Sequence, residues 1–435
     1  MLKKIGAVGG AVAIALCWPF ATGQIGEKIY LDTVGKYENP YLTISSESYD
    51  RGYLNSDAVS RIEIKEDWKP VFDEEGLPTV WFIHHKVSHG FMGVTSTSEL
   101  VLDEDLQPVA DKLWGEGVSP ISFTTTTALT RKTDFNITMK PVSFKNEQGA
   151  KADIKAFVLE GTVDAKGAGE FHYQLPEAKI TTTAKESMVM TGLEGGGKGL
   201  LDGQFWIGSQ DFVLKHVSFK DLINDKSVEI DNVVLGMNNE LTQSEQASGQ
   251  AEQQLTNTNM MTIDKIVSLD GQEYRNFNFK LAFSDLNYPA ISRLGNMADE
   301  IDEQMSEQQA KDAALALDLL VAKGLKFTIE DLSLVTPKGD VRSHLNLVIA
   351  PGIARASENM AKISEKLSGD ISLILPIKLV EDDPVLFEKA TMMEQGGIVE
   401  KGADYYSLQM QIEGDKIILA SGDQLPLAML MMLFM

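Results

Sequence analysis

The stretch Phe277-Asn-Phe-Lys-Leu-Ala-Phe283 alternates large apolar side chains with small or polar ones. Successive side chains of a β-strand point to opposite faces of a sheet, so this alternation predicts a strand with one buried face. Similar runs, bounded by Gly, Asp, Asn or Pro, recur along the chain, and they predict a mainly β protein in which hairpins extend a curved antiparallel sheet. The other runs are 41–45, 58–64, 80–87, 121–127, 135–139, 154–163, 205–207, 212–219, 228–235 and 345–349.

Helices are predicted only in the last third of the chain. Residues 296–323 lack Gly and Pro and are rich in Ala, Glu, Gln and Leu, and Gly324 follows them. This composition favours one amphipathic helix that ends at the glycine. Its second half, 313–322, is apolar except for Asp318, so we expect it to pack on the sheet, filling a groove or lying between sheets, with Asp318 on the wetter side.

Smaller elements are predicted towards the C-terminus. Pro384 suits the first turn of a helix over residues 384–394. The remaining elements are a helix over 356–367 and strands over 405–413 and 416–420, joined by a Gly414-Asp415 turn. The predicted fold class is therefore mainly β with a few helices (α+β).

Two stretches interrupt the alternation. Residues 192–199 have the spacing of a phosphate-binding loop, but Gly199 stands where a Ser or Thr would hold Mg²⁺, and residues of strand composition follow. We therefore predict a flexible hairpin loop there and no nucleotide site. Residues 238–259 are dominated by Asn, Gln, Ser and Thr. They predict either a flexible polar linker or a pair of polar outer strands around Gly249.

Composition limits the classes of partner. The chain has 435 residues, of which 43% are hydrophobic and 23% charged, enough for one large core or two moderate ones. Its net charge of −24 argues against nucleic acid and against anionic lipid headgroups, although an apolar groove could still take lipid tails. The only cysteine is Cys17, so residues 27–435 have neither a disulfide nor a thiolate nucleophile.

No residue pattern predicts catalysis. His84, His85 and His89 lie in a strand-like run rather than one helical turn apart, and no Glu separates them as in a zinc-protease helix, so no metal site is predicted. A Gly-x-Ser-x-Gly nucleophile motif is absent from the sequence. We expect no cofactor and no enzymatic activity.

The N-terminus predicts a membrane segment. Lys3 and Lys4 precede an uncharged run, residues 5–26, and about 20 mostly apolar residues suffice to cross a bilayer as a helix. The alternatives are a cleaved signal with Ala21-x-Gly23 as its site, and a lipoprotein cysteine at Cys17. Because basic residues stay inside, the N-terminus is expected in the cytoplasm. The apolar anchor side chains are Ile5, Val8, Val12, Ile14, Leu16, Trp18 and Phe20.

The expected domain organisation follows from this segment. Residues 1–26 form one transmembrane anchor or signal, and residues 27–435 form the exported body, with a strand-rich part (27–290) and a helix-containing part (291–435). The last residues, 426–435, carry no charge and are too short to span a bilayer. We predict an apolar groove or interface formed by Leu315, Leu317, Leu319, Leu320, Met429, Met431, Met432 and Phe434.

Several motifs in order resemble the YdgA-like group of bacterial envelope proteins, which also includes YihF. They are Trp18-x-x-x-Thr22-Gly23, Tyr49-Asp-Arg51-Gly52-Tyr53-x-Asn55-Ser56, Val87-Ser-His89-Gly90-Phe91, the glycines 195–199 with Gly208-x-Gln210, and the closing segment 406–434. The resemblance implies a domain of unknown function, held at the inner membrane of Gram-negative bacteria by an uncleaved anchor, with its body in the periplasm. It implies no catalytic residue. It marks Arg51-Gly52 and His89-Gly90 as turns between early strands.

Two functions are compatible with these features. The first is a membrane-tethered protein that binds lipid or another amphiphile in an apolar groove of the sheet. The alternative is a structural or assembly protein of the envelope that forms homo-oligomer or partner contacts.

Overall fold

The computed structural model describes residues 41–52, 55–74, 78–90, 93–104, 106–128, 130–202, 205–245, 251–297, 307–358 and 361–429. In this part of the chain, none of the helices is long and apolar enough to cross a membrane. The predicted anchor side chains Ile5, Val8, Val12, Ile14, Leu16, Trp18 and Phe20 lie outside the described residues, as do Met431, Met432 and Phe434.

Most of the described chain forms β-strands, which confirms the mainly β prediction. Lys155 and Ala156 divide the run 154–163 between two strands, whereas the runs 205–207 and 212–219 belong to one strand. The strands are β1 Leu42–Arg51, β2 Asn55–Ile64, β3 Val80–Gly90, β4 Gly93–Leu100, β5 Ile121–Ala128, β6 Thr133–Met139, β7 Val142–Lys145, β8 Lys151–Ile154, β9 Phe157–Val163, β10 Ala168–Thr181, β11 Glu186–Asp202, β12 Phe205–Asp221, β13 Lys226–Glu245, β14 Ala251–Val267, β15 Glu273–Asn287, β16 Leu325–Thr336, β17 Gly339–Ile349, β18 Leu367–Pro376, β19 Val399–Lys401, β20 Tyr405–Glu413, β21 Lys416–Leu419 and β22 Gln424–Pro426.

Helices occupy less of the described chain than strands do. Two are single 3₁₀ turns, Glu66–Trp68 and Ala356–Glu358. The α-helices are α1 Lys69–Glu74, α2 Gln107–Trp114, α3 Tyr288–Met297, α4 Glu307–Ala322, α5 Ala361–Glu365, α6 Ile377–Glu381 and α7 Pro384–Gln395.

The chain divides into two compact units. The first unit contains the described residues up to Leu200 together with Lys220–Asn224, and the second contains Leu201–Phe219 and the described residues from Asp225 onwards. The predicted division of the body into a strand-rich part (27–290) and a helix-containing part (291–435) stays a prediction.

Every pairing in the first unit is antiparallel. Strands β1 to β6 pair in sequence order, β6 pairs with β9, and β9 pairs with β10, which pairs with β11. The β7–β8 hairpin joins through β8 to β10. Alternation places Ile62, Ile83 and Phe123 on one face, where they form a buried cluster on which Trp68 and Phe72 pack.

The strands of the second unit also pair antiparallel, mostly with their neighbours in the sequence. Strands β13 to β18 pair antiparallel in sequence order, β18 pairs with β20, and β20 pairs with β19 and β21. The closing hairpin follows the prediction, because Gly414 has a φ of 64° in the turn between β20 and β21. Strand β22 then pairs with β21.

The polar stretch 238–259 forms strands, so the flexible-linker alternative is wrong for its described residues. Residues up to Glu245 belong to β13, and residues from Ala251 belong to β14. The expected outer position is also wrong for β14, which pairs with β13 on one side and β15 on the other. Both neighbours satisfy its backbone groups, so a polar strand is stable inside the sheet.

The glycine run 192–199 is not the predicted hairpin loop. It lies inside β11, where Gly195 and Gly197 pair with Tyr173 and Phe171 of β10. A Cβ on Gly196 would approach the Phe171 carbonyl oxygen to 2.5 Å. The glycines therefore serve close approach of two backbones, and the aromatic rings of β10 supply the side-chain surface that β11 lacks.

The helix predicted over 296–323 does not begin where expected, and its residues 298–306 lie outside the described residues. Helix α3 begins earlier, at Tyr288, and the Asn287 side chain caps it by accepting a hydrogen bond from Ala290 N at 3.1 Å. Helix α4 ends where expected, because Gly324 has a φ of 82°. The prediction over 384–394 is confirmed by α7, whose N-cap Asp383 accepts hydrogen bonds from Val385 N and Leu386 N.

Candidate functional site

One face of the second unit is apolar across many neighbouring strands. The register places one residue from each strand in a continuous line, which we call the central row. The central row is Met237, Asn259, Leu281, Ile329, Leu345, Ile371, Met410 and Leu419. The row one step along the strands has Leu235, Met261, Phe279, Leu332, Ser343, Leu373 and Leu408. We call the surface formed by these two rows the apolar face.

The opposite face of the same strands is polar. A matching line there contains Thr328, Asn346, Asp370 and Gln411. Asn346 Nδ2 donates to Asp370 Oδ1 at 3.2 Å. The sheet of the second unit is therefore amphipathic, and its apolar face is the one that gains from contact with an apolar surface.

Helices cover only parts of the apolar face. Near one end, Leu320 of α4 joins Tyr288 and Leu255 in a buried cluster against which Phe283 and Leu325 pack. At β18 to β21, Val380 of α6 lies in a second cluster with Leu408 and Met410, and Ala390 and Met393 of α7 pack on it.

The middle of the apolar face has no such cover among the described residues. Leu281, Ile329 and Leu345 are half-buried there, whereas Met410 and Leu419 at the far side are buried. Partly exposed apolar side chains that are contiguous across several strands mark a contact surface for another apolar molecule or chain.

A row of asparagines interrupts this surface. Asn239 lies on β13 and Asn257 and Asn259 lie on β14, all on the apolar face. Asn239 Nδ2 donates to the Trp206 carbonyl oxygen at 2.8 Å, Asn257 Nδ2 donates to Asn239 Oδ1 at 2.7 Å, and Asn259 Nδ2 donates to Asn257 Oδ1 at 2.5 Å. Buried polar groups need partners, and the amides provide them for one another.

The first unit holds a buried histidine. His85 lies on β3 between two serines, with Ser60 Oγ 2.8 Å from its Nε2 and Ser98 Oγ 2.7 Å from its Nδ1. Burial, with a smaller contribution from the charge of His84, lowers the pKa of His85 to about 4. The imidazole is therefore neutral at pH 7, with one nitrogen donating and the other accepting. Since all three side chains are buried, we assign them a structural role.

The three histidines of β3 are not brought together as ligands. His84 points to the opposite face, where its Nε2 lies 3.2 Å from Asp57 Oδ1, and His89 Nε2 lies 2.8 Å from Ser56 Oγ. Across the described ranges, no group of three His, Cys, Asp or Glu side chains is placed to hold a metal ion.

The landmark residues lie at strand ends. Arg51 and Gly52 end the β1 side of one hairpin, and His89 and Gly90 end the β3 side of another. The two hairpin ends are adjacent, because β2 pairs with β3. A special role for these residues stays a prediction.

The predicted groove residues have different surroundings. Leu320 is buried, whereas Leu315, Leu317 and Leu319 are 58%, 43% and 40% exposed. Asp318 accepts hydrogen bonds from Ser357 N and Ser357 Oγ at 2.6 and 3.0 Å. Met429 is exposed as well. The second half of α4 therefore buries only part of its apolar surface, and its role as an interface stays a prediction.

Sequence reasoning missed the asparagine row. The signal was present, since Asn257, Asn259, Met261 and Ile263 share one face at a period of two. The polar composition of the whole stretch hid this alternation.

Comparison with known proteins gives a family and no function. No curated protein and no solved structure matches the chain. The family described as "Bacterial protein of unknown function (DUF945)" matches residues 1–428. Because this match covers nearly the whole sequence, the chain belongs to the bacterial DUF945 family.

Proposed function

We propose that the second unit binds the hydrocarbon part of an amphiphile on its apolar face. The observation that carries this proposal is the central row, which stays half-buried from Met237 to Ile371. At about 4.8 Å per strand spacing, this part of the row extends over about 24 Å, room for a long acyl chain. Covering exposed apolar surface releases about 25 cal/mol per Å² removed from water.

The charge of the protein restricts the polar part of the ligand. A net charge of −24 disfavours an anionic headgroup and favours a neutral or cationic one. No catalytic role is assigned to the described side chains, so the proposed activity is binding without chemistry.

We place this activity at a membrane. The support is the apolar run of residues 5–26 behind two lysines, and the likeness of the ordered motifs to YdgA-like envelope proteins. The proposal is a single-pass inner-membrane protein with a cytoplasmic N-terminus and a periplasmic body. The amphiphile would then come from the envelope.

Photocrosslinking in cells tests the proposed function. We expect p-benzoylphenylalanine at position 279, on the apolar face, to crosslink the full chain to lipid labelled with ¹⁴C-acetate. The matched control is position 280 on the same strand, because Lys280 is exposed on the polar face. Radioactive product at 279 and none at 280 supports the proposal. Equal labelling at both positions, or none at 279, overturns it.

The assembly function remains the second candidate, favoured by the exposed leucines of α4. Leu315 and Leu319 lie one helical turn apart and are 58% and 40% exposed. If they form a homo-oligomer contact, Leu315→Ser combined with Leu319→Ser should lower the mass of the full chain in light scattering to that of a monomer. Leu269→Ser, at an exposed leucine between β14 and β15, should leave the mass unchanged. A wild-type monomer excludes the homo-oligomer form of this function.

A further inference from the structure

The asparagine row has a fixed polarity that follows from its first contact. The Trp206 carbonyl oxygen can only accept, so Asn239 must present its Nδ2 to it, at 2.8 Å. Asn239 Oδ1 is then left to accept from Asn257 Nδ2, and Asn257 Oδ1 to accept from Asn259 Nδ2. Each amide orients the next, because reversing any one of them would bring two donors or two acceptors together.

The row ends in an acceptor on the apolar face. Within the described part of the chain, Asn259 Oδ1 has no hydrogen-bond donor. Asn259 itself is half-buried, and its neighbours in the central row are Met237 and Leu281. A carbonyl oxygen is thus presented among apolar side chains, where a hydrocarbon chain alone would cover it without satisfying it.

Covering an unsatisfied acceptor is unfavourable, so the ligand that fits must bring a donor. An unmade hydrogen bond at a desolvated polar group costs about as much as several methylene contacts gain. A hydroxyl or an amide N–H beside an alkyl chain satisfies Asn259 Oδ1, whereas an ether, an ester or a carboxylate offers only acceptors.

Building on the proposed amphiphile binding, we infer that Asn259 Oδ1 selects amphiphiles with a hydroxyl or amide N–H next to the alkyl chain. Asn239 and Asn257 act as positioning residues, since they orient the Asn259 amide and hold its Nδ2 away from the ligand. The asparagine row therefore assigns a ligand class to the apolar face.

Competition between two matched ligands tests the inference. The full chain, held in amphipol, is loaded with diphenylhexatriene, a hydrocarbon fluorophore that cannot hydrogen-bond. The fluorophore is then displaced with 1-dodecanol or with its methyl ether, and empty amphipol is subtracted. In Asn259→Leu, we expect the inhibition constant of the alcohol, relative to that of the methyl ether, to rise by about five- to tenfold. A change of this size corresponds to the loss of one hydrogen bond. Diphenylhexatriene binding should be kept in this variant.

The control is the same substitution on the other face. Asn238→Leu, one residue from the row and exposed on the polar face of β13, should leave the ratio at its wild-type value. A ratio that is unchanged in Asn259→Leu, with diphenylhexatriene still bound, overturns the inference and leaves the proposed function standing. Failure of diphenylhexatriene to bind the wild-type chain overturns both.

The wild-type chain gives a test that needs no folded variant. If Asn259 Oδ1 accepts from the ligand, 1-dodecanol displaces diphenylhexatriene more strongly than its methyl ether does, although the ether is the more apolar molecule. An ether that competes as well as the alcohol contradicts the inference directly.

Discussion

Lowering the pH from 6.5 to 4 should reduce the free energy of unfolding by about 3 kcal/mol through His85 alone. The pKa of this buried imidazole is lowered to about 4 in the folded chain, from 6.5 in the unfolded one. Between these values the unfolded state binds a proton that the folded state does not, so stability falls as the pH falls through this window. Well above pH 6.5 and well below pH 4 the contribution of His85 is constant, because both states then bind the same number of protons at this side chain.

Urea denaturation followed by Trp fluorescence measures this effect, because Trp68 and Trp81 pack on the same face of the first unit. His85→Gln keeps an amide donor and acceptor for Ser60 and Ser98 but cannot take up the proton. The unfolding free energy of this variant should lack the fall that His85 causes between pH 6.5 and pH 4. His84→Gln is the control, since His84 lies on the opposite face, and it should keep most of the wild-type slope. If the unfolding free energy of His85→Gln depended on pH as strongly as that of the wild type, the attribution of this pH dependence to His85 would be wrong.

Gly161→Ala should destabilise the first unit by about 3 kcal/mol, the upper range for forcing extra atoms into packed structure. A Cβ on Gly161 of β9 would lie 2.3 Å from the Glu170 carbonyl oxygen and 2.7 Å from the ring of Phe135. The backbone oxygen cannot rotate away, so strands β9 and β10 would have to separate.

The matched control is Gly236→Ala, which is also inside a strand. Its added Cβ would meet only the end of the Met260 side chain, at 3.2 Å, and this flexible group can move. We expect a loss of at most about 1 kcal/mol, the centre of the range for single substitutions. Urea denaturation followed by circular dichroism compares the two variants. Similar losses at both positions would show that glycine itself, rather than the close approach of β9 and β10, sets the stability.

The strands were predictable because their signal is local. The alternation in Phe277–Phe283 is set by the one apolar face of β15, and no knowledge of its neighbours is needed to detect it. The turn at Gly414 and the cap at Asp383 are local as well. By contrast, the glycines of β11 look like a loop to any local rule, because the reason for them, the aromatic side chains of β10, lies on another strand.

The apolar faces of single strands could be predicted from the sequence, but the candidate site that they form together could not. A half-buried strand pattern shows that one face is apolar, but the central row exists only once the register sets Leu281 beside Ile329 and Ile329 beside Leu345. The start of α3 is a different case, because its cap at Asn287 is local and lies between the predicted strand 277–283 and the predicted helix 296–323. Long-range pairing decides the central row, and a single sequence does not encode that pairing in any one segment.

The order of pairing has a consequence for how the chain acquires its structure. From β13 to β18 each strand pairs with the strand that precedes it in the sequence. The pairings β13–β14, β14–β15 and β16–β17 close short loops, whereas α3 and α4 lie between β15 and β16. Short loops have a small closure entropy, and topologies with local contacts fold faster than those with distant ones. The sheet of the second unit can therefore grow strand by strand, from the N-terminal side, in the same direction as synthesis. Each new hairpin covers the edge left by the previous one, which limits the time for which an unpaired edge is open to other chains.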